Sequence, residues 1–410
     1  MHPILSALLR NKTGAILVAV QVAISLAILA NALHIVNVRQ AVAARPSGLV
    51  DEVSTFNIST RWLRKENAAF DLAVQKRETA LLRAIPGVLG VAGTNQMPLS
   101  NSGSSTSVAI DRKQVNESAS TAMYETGDSL VQAWGLRLVQ GRDFTPADIL
   151  ELDMVTSREQ PKTVIITQGL ADKLWPGQAS VIGKTMLFGT GEDADATQII
   201  GVVERLQSPW APVGDEAEYS TILPLRALGT TPGASYTVRT EPGQRDRIMK
   251  EAEEILRKAT ATPVIIKSKS TSEDRKQRYR ADVALSWMLI TVSVLLLIIT
   301  ASGIVGMASL WVTQRRKQIG VRRALGARRV DILRYFISEN VMITTLGVVS
   351  GVLLAVGLNQ LLVSKLEMAR LPLPYLLGGA GVFYLLGVVA VYGPAWKAAT
   401  ISPALATRSA

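Results

Sequence analysis

Residues 312–337, VTQRRKQIGVRRALGARRVDILRYFI, hold eight basic side chains (Arg315, Arg316, Lys317, Arg322, Arg323, Arg328, Arg329 and Arg334) against one acid, Asp331. Apolar runs lie on either side, Val283 to Trp311 before and Phe336 to Leu362 after. Each is about long enough to cross a hydrocarbon core of ~30 Å. Two further runs, Gly14 to Val38 and Tyr375 to Trp396, have the same character. Lys and Arg in short loops resist translocation, so the loop at 312–337 is expected on the cytoplasmic side. Four spans then put both termini in the cytoplasm and residues 39–282 outside.

Composition agrees. The 410 residues are 48% hydrophobic and 19% charged, and the mean hydropathy is +0.23, which does not suit an ordinary soluble protein. The formal charge of +11 invites a nucleic-acid reading until it is located. Residues 39–282 contain 30 basic and 30 acidic groups, so the whole excess lies in the remainder, fourteen basic residues against Asp331, Glu339 and Glu367. It is a topology signal, and no nucleic-acid partner is expected. There is no Cys, and His2 and His34 are the only histidines. Disulfides, thiolate or His-based metal centres and Ser-His-Asp hydrolysis are thereby excluded, and no metal, cofactor or catalytic residue is expected on this chain.

The expected order is an N-terminal segment, first span and stalk (1–46), then an outer core domain (47–270) with a β-rich insert at about 100–215. A stalk and second span (271–311), the basic loop (312–337), a third span (338–364), a short outer loop (365–374), a fourth span (375–396) and a tail (397–410) follow. The first span, behind Arg10 and Lys12, reads as an uncleaved anchor, because no small-residue cleavage site interrupts it. The outer region reads as mixed α/β. Val50 to Thr60, a helix over Lys65 to Ile85 and Val88 to Thr94 make one small unit. Thr221 to Leu225, Ser235 to Arg239, a helix over Arg245 to Ala259 and Val264 to Ser268 make a second. The stretch between them opens on the Ser/Asn-rich Ser100 to Ser107 and includes the strands Thr163 to Thr167 and Gln198 to Val203. Residues 271–282 are polar and helix-compatible, so the second span is expected to continue outward as a stalk beside an extension of the first.

Three groups of residues call for chemistry and receive a plainer reading. Gly177 to Thr185 resembles a phosphate-binding loop, but five residues separate its glycines where four are needed, and it reads as a turn into a strand. Glu151/Asp153 and Asp193/Asp195 read as solvated loop carboxylates rather than a glycosidase pair. Gln21, Asn31, His34, Asn359 and Gln360, within the spans, are expected to bond between helices rather than line a conduit, and the spans are read as free of buried charge. Ser302/Gly306 and Gly347/Gly351 have the small-xxx-small spacing of a packed bundle or a dimer seam.

The basic loop resembles the signature of the MacB/FtsX-type ABC transporter permeases, a Glu- and Arg-rich "REIG-RRALGA" stretch leading into a coupling helix that rests on the ATPase. The resemblance extends to the outer region, at Val164 to Ala171, Leu174-Trp175-Pro176, Val181 to Lys184 and Ile199 to Val203. It extends also to the C-terminal Gly393 to Ala399 with Ile401-Ser402-Pro403-Ala404. It implies four transmembrane helices with a large α/β periplasmic domain between the first and second, in the bacterial inner membrane. It implies ATPase-coupling roles for Ile319, Gly320, Arg322, Arg323, Ala324, Leu325, Gly326, Ala327, Arg328, Val330, Asp331, Leu333 and Phe336. Gly326 breaks the chain, and Val330, Ile332, Leu333 and Phe336 are expected to offer an apolar face to a partner's groove, with arginines to pair with its acids.

The implied function is mechanotransmission, with the chain itself not an enzyme: ATP and Mg act on a cytoplasmic ATPase dimer, and motion reaches the periplasmic domain to drive export. The implied partners are a second permease chain, a periplasmic adaptor and an outer-membrane channel. Gln314 and Gln318 stand where the family carries Glu, and a heterodimeric permease follows as a hypothesis. The alternatives are a signalling device controlling a cell-wall hydrolase, and lipoprotein extraction.

Overall fold

Tyr236 and Val238 flank the equally buried Thr237 on one strand, β12 (Gly233–Thr240), whereas on β1 (Thr55–Trp62) the fully buried Phe56 and Ile58 alternate with the more exposed Asn57 and Ser59. Period-two burial of this kind marks a sheet with one covered face. The computed structural model describes residues 12–63, 67–229, 232–260, 263–366 and 370–400. Arg10 and the Ile401 to Ala404 motif lie outside these residues. The chain divides into two units, residues 1–41 with 282–410, and residues 42–281.

In the second unit, β1 pairs antiparallel with both β12 and β13 (Val264–Ser270), and β12 pairs antiparallel with β2 (Val88–Gly93). The sheet order is β13-β1-β12-β2. Helices α2 (Ala68–Arg83) and α5 (Arg245–Ala259) bury Val74, Leu82, Ile248, Ala252 and Leu256, and Leu82, Ile248, Ala252 and Leu256 join the core of this sheet. The α5 sequence places those apolar residues four apart on an otherwise charged helix, so one stripe buries and the rest is solvated. The two α/β segments expected from the sequence are thus both present, and they share one sheet.

The insert is larger than its Ser/Asn-rich opening indicates. Its strands include β3 (Ser105–Ala109), β4 (Ala119–Glu125), β5 (Leu138–Gly141), β7 (Thr163–Thr167), β8 (Thr185–Phe188), β9 (Asp195–Val203) and β10 (Ser220–Leu223). Their order is β5-β9-β7-β10-β4-β3-β8, and β8 also pairs with β9, so the sheet closes on itself. Closure removes the free edges of all its strands but β5, which pairs with β9 alone. Val164 and Ile166 face one apolar cluster and Ile165 the other, which explains the unbroken apolar run of β7: both of its faces are covered. Residues 221–225, expected in the second α/β unit, belong here instead, because β10 lies between β7 and β4 with all four residues buried. A two-stranded pair, β6 (Leu150–Asp153) with β11 (Leu225–Leu228), and the short helices α3 (Leu130–Trp134) and α4 (Gln168–Leu174) complete the unit.

Among the described residues four helices are long and apolar enough to cross a membrane, with their apolar stretches in the first unit: α1 (Lys12–Ala43), α6 (Thr271–Gln314), α8 (Arg329–Leu366) and α9 (Leu373–Ala399). Both α1 and α6 run past their apolar stretches, and Arg39 of α1 is ion-paired with Asp282 of α6. Polar side chains join the helices as expected of Asn31, whose Nδ2 donates to Ala27 O and to Ala355 O of α8 at 2.9 and 3.1 Å. Ser25 and Thr300 hydroxyls meet at 2.9 Å, the His34 ring lies against Tyr375, and Asn359 Oδ1 accepts from Leu371 N at 2.9 Å. Gln21 abuts Gly303 of α6, whereas Gln360 is exposed. One expectation fails: Glu339 of α8, within the third span, is 1% exposed, so the bundle does bury a charge.

Candidate coupling site

The basic loop folds as a short helix, α7 (Arg316–Ala324), between α6 and α8. Arg315, at its N-cap, donates from Nη1 to Glu339 Oε2 at 2.7 Å, with the Tyr335 hydroxyl 3.4 Å away. Arg322 lies over the Tyr335 ring at 5.1 Å, and Ile319 is buried with Ile332 and Phe336 in the bundle core. At the other end, Arg323 Nη1 donates to Ala399 O at 3.1 Å, one of the carbonyls that the end of α9 leaves without an intrahelical partner. Four contacts therefore hold α7 to the membrane helices.

Gly326 has φ +97° and open space where a Cβ would stand, so it turns the chain in the left-handed region without forming a close contact. Ala327 follows, half-buried against the core. The next helix then starts cleanly: Asp331 Oδ2 accepts from Arg328 N at 2.9 Å, the carboxylate half of a capping box.

The outward surface differs from the expected one. Phe336 and Ile332 are 3% exposed and Leu333 is half-buried, all turned into the bundle, because α7 covers that side of α8. Exposed instead are Val321, Leu325 at 84% and Val330, set among Arg316, Lys317, Arg328, Arg329 and Arg334, with Ala324 also exposed and Gly320 buried. The site thus presents apolar side chains on a basic ground. Arg315, Tyr335 and Glu339 were not singled out in the sequence. Their signal was an acid within an apolar run about a turn and a half beyond the last arginine.

The small-residue pairs separate. A Cβ on Gly347 would come within 2.8 Å of Ala19 O, and one on Gly351 within 3.0 Å of Ala23 Cα, so these glycines let α8 and α1 touch. Ser302 and Gly306 are exposed on α6, with nothing near Gly306. Among the other sequence candidates, Gly177 has φ +75° in a turn before β8, and Lys184 lies over the Trp175 ring at 5.3 Å. Glu151 is not a free loop carboxylate: it sits on β6, 2.8 Å from Lys76 and 3.7 Å from Arg226. Asp153 turns back to accept from Val155 N, and Asp193 and Asp195 are exposed. No cluster of metal-ligating side chains occurs among the described residues.

Residues 15–255 match the MacB-like periplasmic core domain, and residues 290–403 the FtsX-like permease C-terminal domain. The macrolide export ATP-binding/permease protein MacB of Agrobacterium fabrum is 28% identical over 309 residues, 73% of this chain and 44% of that protein. The pyoverdine export ATP-binding/permease protein PvdT of Pseudomonas syringae pv. syringae is 26% identical over 292 residues, 66% of this chain and 40% of that protein. This chain therefore spans less than half the length of those relatives. The crystal structure of the periplasmic region of MacB from Actinobacillus actinomycetemcomitans aligns with 58% of this chain and 97% of that one, at 15% identity and a TM-score of 0.34. With the periplasmic-core match alone taking in more than half of the 410 residues, the chain belongs to the MacB/FtsX-type ABC transporter permeases.

Proposed function

We propose that this chain is the permease subunit of an ABC export machine in the bacterial inner membrane, with both termini cytoplasmic and residues 42–281 in the periplasm. ATP and Mg are bound by a separate cytoplasmic ATPase dimer, and a second permease chain completes the transporter. Closure of the ATPases pushes on α7 and the turn at Gly326. The push passes through α6 and α1 toward the periplasmic domain, which drives substrate into a periplasmic adaptor and outer-membrane channel. The observation that carries this reading is the surface of α7, since a helix fixed to two membrane helices, α8 and α9, transmits force instead of absorbing it. Its exposed Leu325 has no core to fill, so an apolar side chain there is explained by a partner. The large insert favours export over signalling, because an adaptor needs a docking surface.

The test is Leu325→Asp, made in the chain purified with its ATPase. At 84% exposure the substitution leaves the bundle's own packing untouched. Stimulation of ATP hydrolysis by the permease should fall at least about tenfold, a loss of about 1.4 kcal/mol of interaction. Undiminished stimulation in both Leu325→Asp and Val330→Asp would remove α7 as the coupling element.

A further inference from the structure

Among the described residues three that are not glycine have a positive φ: Leu99 at +63°, Asn101 at +60° and Ala211 at +35°. All three meet in one place within residues 42–281. The segment 94–104, between β2 and β3, lies against the segment 204–214 that follows β9. Asn101 N donates to Pro209 O at 2.9 Å and Leu99 N to Ser208 O at 3.5 Å, and the second segment turns back where Ala211 N donates to Ser208 O at 3.2 Å. Gly103 lets the two segments close up, since a Cβ there would stand 2.8 Å from Pro209 Cγ. Leu99 is 0% and Ala211 1% exposed, so packing imposes the left-handed backbone. A buried leucine in that region is an outlier that persists only while its surroundings force it.

Arginines supply the force. Arg278, about two turns into α6, is half-buried over the Tyr279 ring and donates from Nε to Trp210 O at 2.5 Å and from Nη2 to Ala211 O at 3.1 Å. Arg45, just past the end of α1, takes the next three carbonyls: Pro212 O and Gly214 O from Nη1 at 3.3 and 3.1 Å, and Val213 O from Nη2. Five consecutive carbonyls, 210 to 214, are thus gripped by guanidinium forks, a geometry that lysine does not offer. Arg275 of α6 closes the arrangement. It pairs with Glu52 at 2.7 Å and donates to Ala43 O and Arg45 O at 2.7 and 2.8 Å, so the chain leaving α1 is fixed to the base of α6.

We propose that residues 207–214 are a strained strap with two states. Arg278 and Arg45 hold the strained state, and displacement of the base of α6 against the end of α1 pulls Arg278 from its carbonyls, relaxes Ala211 and frees the loop at Ser100 to Ser104. Asn101, Ser102 and Gly103 are exposed, so the state of the strap changes the outer surface there. Arg278 is a positioning residue in this scheme. That ATP-driven motion works the strap rests on the transport reading; that the strap is strained and held by arginine does not.

The test follows amide hydrogen exchange by mass spectrometry in the full chain in nanodiscs without its ATPase, on peptides covering 96–104 and 205–214. Arg278→Met keeps the aliphatic stem and removes the grip, and exchange should quicken at least about tenfold in both peptides while peptides from β1 and β12 stay unchanged. The 96–104 peptide is the decisive one, because it carries neither carbonyl that Arg278 holds. Ala211→Gly should slow exchange in both peptides about fivefold, relief of the left-handed strain outweighing the freedom that glycine gives the open chain. Should Arg278→Met unfold the domain, seen as rapid exchange in β1 and β12, Ala211→Gly decides alone. Unchanged exchange of 96–104 in a folded Arg278→Met, or exchange that Ala211→Gly does not slow, would overturn the proposal. Since no ATPase is present, these outcomes leave the coupling test on Leu325 untouched, and failure of that test leaves these intact.

Discussion

Arg315 and Glu339 form an ion pair of 2.7 Å that joins the start of α7 to the third membrane helix, with Glu339 1% exposed. Burial makes the pair asymmetric in its consequences. Its net contribution over an apolar pair is small, because both charges lose their hydration. Removal of either partner alone strands the other, at a cost of about 3–5 kcal/mol. Glu339→Leu and Arg315→Met should each lower the thermal unfolding temperature in nanodiscs, and the double variant should recover most of the loss. Coupling to the ATPase should stay impaired in the double variant, since α7 is then unpinned. Full coupling in a stably folded double variant would show that the pair only stabilises.

The two glycine-containing pairs should behave oppositely. Gly347→Leu places side-chain atoms where Ala19 and Val22 of α1 already stand, so the fold should lose about 1–3 kcal/mol from overpacking. Gly306→Leu meets open space on an exposed face of α6 and should leave the unfolding of the isolated chain unchanged. Thermal unfolding of both variants, with the oligomeric state of the second by native mass spectrometry, checks this. Equal destabilisation by the two substitutions would place both faces inside the bundle.

What the sequence shows and what it hides follow from how local each signal is. The four long helices are legible because an apolar run of sufficient length has no soluble alternative, and α5 because its stripe at four-residue spacing ends on Thr260 before a new strand. Strand β10 was assigned to the wrong sheet, since Ser220 to Leu223 pair with residues about 55 and 100 positions away, and nothing in the four residues names their partners. Ile332 and Phe336 are apolar at helical spacing in either case. Only the return of α7 across α8 decides that they point inward and leave Leu325 and Val330 outside. The Arg315 to Glu339 contact was hidden for a related reason: Glu339 enters a charge count as one acid, and its burial is a tertiary fact.

Stability should also depend on pH through Glu125. Burial raises its folded pKa from 4.5 to about 7, so the folded state holds a proton that the unfolded chain has released. The stabilising uptake is complete below about 4.5 and is lost as pH rises through 7. Thermal unfolding of the chain in nanodiscs should therefore fall across that window. Glu125→Gln should flatten this component and be the more stable chain near pH 8, by on the order of 1–3 kcal/mol. A wild-type and variant difference that does not change with pH would mean that Glu125 is solvated.

Trp134, at the end of α3 in the insert segment, donates its indole N–H to Thr237 Oγ1 of β12 at 2.6 Å, and both residues are fully buried. Its ring also meets Tyr124 of β4 edge-on at 5.5 Å. This one side chain thereby ties the insert to the α/β sheet through an aromatic contact on one side and a hydrogen bond on the other. Thr237→Val keeps the shape and removes the acceptor, leaving a buried donor unsatisfied at a cost of about 1–3 kcal/mol. For a unit of this size that is a fall of roughly 2–10 °C in unfolding temperature. Thr237→Ser restores the acceptor and should recover most of it. If the insert and the sheet unfold as one cooperative unit, tryptophan fluorescence and far-UV circular dichroism should report the same shifted midpoint. A variant as stable as wild type would show that the indole N–H finds another acceptor, and separate midpoints would show two independently folding halves.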